Sequence, residues 1–94
     1  MRLSQKEIET LKDSVKSISS EAEVYLFGSR VDDTKKGGDI DILIVSNKIN
    51  KKDLRKVRLE FFKRFGEQKL DIVLDNLQTD DPFIKLISQK AVRL

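Results

Sequence analysis

The chain contains neither cysteine nor histidine. Without thiols there is no disulfide and no thiolate metal site, and without imidazole the usual zinc ligand and general base are also missing. Any metal would have to be held by oxygen, which suits magnesium, manganese or calcium. No run approaches the roughly 18 apolar residues of a membrane span. The opening stretch MRLSQKEIET lacks the apolar core of a signal peptide. These absences lead to the expectation of a soluble, cytoplasmic protein with no membrane partner. Internal repeats, low-complexity tracts and linkers are absent as well. The 94 residues are therefore expected to form a single domain, 1–94, with one modest core and little material for a separate substrate-recognition domain.

What is present in abundance is charge. Charged residues make up 37% of the chain and apolar residues 38%, and 19 Lys and Arg against 16 Asp and Glu leave a net charge of +3. The excess is uneven: residues 48–69 carry nine basic side chains against three acidic ones. Such a block can attract phosphate or nucleic acid, but a solvated helix face is the more ordinary reading. The phenylalanines of the block fit a buried stripe and leave no exposed rings for base stacking. Nucleic acid is accordingly not expected as a partner.

Hydrophobic periodicity divides the chain into short elements. Ser4-Gln5-Lys6-Glu7 has the form of a capping box, and Ile8, Leu11, Val15 and Ile18 follow at helical spacing. Glu23–Phe27, rich in β-branched and aromatic residues, reads as a strand ended by Gly28. Asp39–Val45 (DIDILIV) reads as a second strand, apolar enough on both faces to be central in a sheet. Asn50 can cap a helix over 51–65 whose buried stripe is Leu54, Val57, Phe61 and Phe65, with Gly66 as its stop. Leu70–Leu74 (LDIVL) reads as a third strand. Asp81-Pro82 opens a last helix with Phe83, Ile87, Ala91 and Leu94 on its apolar face. The short link between strands one and two requires antiparallel neighbours. The helix between strands two and three allows a parallel, right-handed crossover. The expected fold is α+β, a small mixed three-stranded sheet packed with about four helices.

Six positions in this frame invite chemistry. Side chains alternate along a strand, so Asp39 and Asp41 point to one face and converge on a small volume. Close carboxylates repel unless a cation lies between them. A lone D-x-D is usually just the wet edge of a sheet, and Gly28-Ser29 shifts that balance. A glycine at a strand end lets the chain turn tightly and a ligand approach, and free amides with the Ser29 hydroxyl can form a phosphate site. Arg30 can pair with phosphate or stand as an exposed turn residue. Asp71 lies between Leu70 and Ile72 on an apolar strand, where a buried aspartate needs a partner. A shared metal and a lysine both qualify. Asp75 has the same parity, but Asp71 lies near the strand start, level with Asp39 and Asp41.

Gly28-Ser29, then Asp39-Ile40-Asp41, then Asp71 on a later strand together resemble the pattern of the DNA polymerase β-like nucleotidyltransferase superfamily. Within it, the run LFGSRVDDTKKGGDIDILIV is similar to the minimal, antitoxin-type nucleotidyltransferases. The resemblance implies a polymerase β palm-like fold, ATP as substrate and a site with two magnesium ions, held by Asp39, Asp41 and Asp71. Gly28, Ser29 and Arg30 would hold the nucleotide. It further implies transfer of AMP to a hydroxyl, with a HEPN-domain protein as partner and the chain as its antitoxin. Larger relatives carry an extra domain that is not expected within these 94 residues, so a non-catalytic antitoxin acting by occlusion is the alternative. The small size also makes an oligomer an open expectation.

Overall fold

The first helix starts where Ser4 accepts a hydrogen bond from the Glu7 N–H at 3.1 Å and Glu7 Oε1 accepts from the Ser4 N–H at 3.0 Å. This reciprocal cap satisfies two amides that the helix leaves without intrahelical partners. The computed structural model describes residues 3–28, 39–78 and 80–94. Within them the order is α1 (Gln5–Ile18), β1 (Glu23–Phe27), β2 (Ile40–Val45), α2 (Lys51–Phe65), β3 (Leu70–Asp75), α3 (Pro82–Ser88) and β4 (Val92–Arg93). Asn50 and Asp53 repeat the capping box at α2, with bonds of 3.1 and 3.0 Å. Gly66, at φ 81°, closes that helix, in a conformation that an L side chain adopts only at a cost.

The strands form one mixed sheet in the order β3-β2-β1-β4. β2 pairs antiparallel with β1 and parallel with β3. One face of the sheet is apolar because Val24, Leu26, Ile40, Ile42 and Ile44 all project to it. They are buried with Leu11 and Val15 of α1 and Leu54, Val57 and Phe61 of α2. The Phe61 and Phe65 rings meet at 4.9 Å. Full burial of each large apolar side chain contributes about 1.5–3 kcal/mol, so this layer fixes the register of all three longer strands. The odd-parity positions of β2 and β3, Asp41 and Asp71 among them, face away from the helices.

The α+β class and the mixed sheet agree with the sequence, and two details differ. Three helices lie within the described residues, where about four were expected. The sheet has four strands, because the C-terminal segment does not stay helical. α3 ends at Ser88, and Val92–Arg93 pairs with Leu26 and Tyr25 of β1. The Leu94 N–H donates to the Val24 carbonyl at 2.9 Å, and Leu94 packs against the core. Phe83 is exposed where a helical apolar face would have buried it. A free β1 edge needing hydrogen-bond partners outweighs the helical spacing.

Candidate active site

The acids gather where β1 ends and where β2 and β3 begin. Antiparallel pairing sets Phe27 opposite Asp41, and parallel pairing sets Asp71 opposite Asp41 on the other side. Asp41 thus stands on the central strand with an acid beside it. Asp39 lies just before β2, where the Ile40 N–H donates to the Lys69 carbonyl at 3.0 Å. The Asp41 carboxyl is raised above the ordinary carboxylate range. Burial is the largest cause, followed by the negative charges of Asp71 and Asp39 and a side-chain hydrogen bond with Asp71; Lys69 acts in the opposite sense. Asp39, Asp41 and Asp71 therefore share one electrostatic neighbourhood.

Gly28 closes this neighbourhood from the β1 side. Its φ is +78°, in the left-handed region that favours glycine. A Cβ built there would collide with Asp41 Oδ2 and lie 3.1 Å from its Cγ. Glycine is thus required twice, for the turn and for the room that the Asp41 carboxylate occupies. Ser29 and Arg30, the other two expected nucleotide-binding residues, lie outside the described residues.

Asp71 reaches the site by a route other than the one its sequence suggests. It is exposed, and β3 is an edge strand, so no burial penalty calls for a partner. Register with Asp41 is what puts it there. Asp75 lies at the other end of β3, opposite Val45, and its Oδ1 accepts from the Leu77 N–H at 3.0 Å. It supports the turn in which Leu77 adopts φ 65°. Two further residues belong to the surroundings and escape a motif search. The Lys69 ammonium lies 3.5 Å from Asp39 Oδ2. Arg58 donates from Nε and Nη2 to the Leu70 carbonyl at 3.3 and 3.2 Å. Lys69 could have been found from its place just before a strand whose start is level with Asp39. Arg58 carries no such signal.

The donor set is chemically suited to a hard divalent cation, being all carboxylate and mutually repulsive. Among the described residues no group of three acids is already drawn together tightly enough to hold a metal ion, and Asp39 is engaged by Lys69. A groove of about 460 Å³ lies between α1 and α2, lined by residues such as Thr10, Asp13, Lys56 and Glu60. None of the candidate acids borders it. The acid cluster and this groove are separate features of the surface. The family model described as nucleotidyltransferase domain matches residues 8–93. No curated protein matches the chain.

Proposed function

The chain belongs to the nucleotidyltransferase domain family, and from that premise we propose that it transfers AMP from ATP to a protein hydroxyl with the help of magnesium. The observation that carries this reading is the apposition of Asp41 and Asp71 across β2 and β3, with Gly28 seated against the Asp41 carboxylate. Asp39, Asp41 and Asp71 supply the carboxylates that would hold magnesium, which when bound neutralises phosphate charge and stabilises the attacking and leaving oxygens. Gly28, Ser29 and Arg30 would form the nucleotide side of the site, since a serine hydroxyl and an arginine guanidinium are groups that pair with phosphate oxygens. In the reaction the acceptor oxygen bonds to the α-phosphorus, the bond from that phosphorus to the β-phosphate bridge breaks, and pyrophosphate leaves. The acceptor proton passes to the exposed Asp71 carboxylate, which also orients the hydroxyl. The acceptor is a hydroxyl on a HEPN-domain partner, for which the chain acts as antitoxin in the cytoplasm.

The test is incubation of the chain and that partner with ATP labelled at the α-phosphate, with and without magnesium. Label should reach the partner only with the metal, and Asp41→Asn should abolish it. Transfer by Asp41→Asn at the wild-type rate would sink the proposal. A second reading is favoured by Leu77, just after β3, and Phe83 and Leu86 of α3, three large apolar side chains more than half exposed. They suit a contact surface, through which the chain would neutralise its partner by occlusion alone. In that case Asp39→Asn and Asp41→Asn would protect as well as wild type, and loss of protection in both would refute it.

A further inference from the structure

Lys69 is held at the acid cluster by its backbone, not by chance placement of a long side chain. Its carbonyl accepts from the Ile40 N–H at 3.0 Å, between Asp39 and the first residue of β2. The next carbonyl along, that of Leu70, is bound by the Arg58 guanidinium. The backbone that follows the Lys69 side chain is therefore held by two successive carbonyls, and the Lys69 ammonium reaches Asp39 at 3.5 Å. Among the described residues, that ammonium is a positive charge placed beside Asp39 and acting on Asp41. The pair is also open: the Lys69 side chain is 69% exposed and that of Asp39 46%. Exposed pairs of this kind are weak and exchange readily.

We infer that Lys69 is the built-in counter-ion of the site, standing in for a divalent cation and yielding Asp39 when the cation binds. The inference rests on the reading of Asp39, Asp41 and Asp71 as cation ligands. Lys69 is a positioning residue that holds mutually repelling carboxylates together in the metal-free protein and weakens cation binding by competition. Once released, its ammonium stays beside the site on a flexible four-carbon stem. Lys69 thus acts in opposite directions on the two states: its removal destabilises the metal-free protein and tightens the metal-bound one. A residue that merely supported the fold would not produce that pair of signs.

The experiment measures Mn²⁺ binding by electron paramagnetic resonance and thermal unfolding in chelator, on the full chain. Lys69→Met should bind Mn²⁺ about three- to tenfold more tightly than wild type, with the difference shrinking as salt rises. Its melting temperature in chelator should fall by about 1–4 °C, a shift below 1 kcal/mol of stability. Lys69→Arg, which keeps the charge, should restore wild-type behaviour in both. Equal Mn²⁺ affinity of wild type and Lys69→Met overturns the inference while leaving the cation site intact. Absence of Mn²⁺ binding to wild type overturns the site reading and this inference with it.

Discussion

Replacing Gly28 by alanine tests the link between backbone and site most directly. The methyl group must be carried at φ +78°, which costs an L residue about 1–2 kcal/mol. Alanine recovers about 0.4–1 kcal/mol by restricting the unfolded chain. The new Cβ collides with Asp41 Oδ2, so the carboxylate must rotate away, and an off-rotamer side chain adds about 0.5–1.5 kcal/mol. The expected loss is about 0.5–3 kcal/mol, or roughly 4–8 °C per kcal/mol for a domain of this size. Urea denaturation should be run on Gly28→Ala, Asp41→Ala and the double variant. Deleting the carboxylate removes the two closest atoms, and Asp41 Cβ lies at an ordinary 3.4 Å from the new methyl. The steric part should then vanish, giving a coupling of about 0.5–1.5 kcal/mol. Strictly additive losses, or a single-variant loss under about 0.5 kcal/mol, would refute the account of why glycine stands there.

Because the Asp41 carboxyl is raised by burial and by Asp71 and Asp39, its neutral form suits the fold better than its charged form. In chelator its contribution to stability is full below the unfolded value of about 4 and declines as pH rises through the folded one. Asp41→Asn should flatten that decline and be at least as stable as wild type at pH 7, while losing cation binding; a less stable Asp41→Asn would contradict it. Asp71→Asn should lower label transfer by about 10²-fold or more. Asp75→Asn, whose amide can still accept from Leu77, should change it less than tenfold, and the reverse order would transfer the role to Asp75. Arg58→Met should cost about 0.5–1.5 kcal/mol through the Leu70 carbonyl it leaves. Hydrogen exchange should quicken at the start of β3, and unchanged exchange there would show that Arg58 does not secure the strand.

Much of this arrangement is legible in the sequence because local rules and burial point the same way. The Ser4–Glu7 and Asn50–Asp53 caps, the glycine stops and the apolar runs locate α1, α2 and the three longer strands. Parity alone puts Asp41 on the face opposite Ile40 and Ile42. What escapes is decided by pairing. Val92–Arg93 is too short to announce a strand, and it forms one because β1 has an edge to satisfy. Asp71 looks like a buried acid in LDIVL, yet β3 lies at the sheet edge and leaves it exposed. Lys69 and Arg58 read as members of a charged block, and only the parallel register reveals that they flank the acids.

The register between β2 and β3 also decides when a nascent chain can acquire chemistry. When both are charged Asp41 and Asp71 repel each other, so the acid pair is not what draws the strands together. The attraction lies on the opposite face, where Leu70, Ile72 and Leu74 pack with Ile40, Ile42 and Ile44 against the helices. A slip of one residue would turn that apolar row outward and set an aliphatic side chain opposite Asp41. Parallel pairing across a whole helix is also a slow, non-local step. During synthesis, residues 23–45 can form their hairpin early, yet the acid pair must wait for β3 to emerge and for its oily side to find the core. Cation binding should accordingly appear late in refolding, as a reporter that the last of the long strands has docked in register.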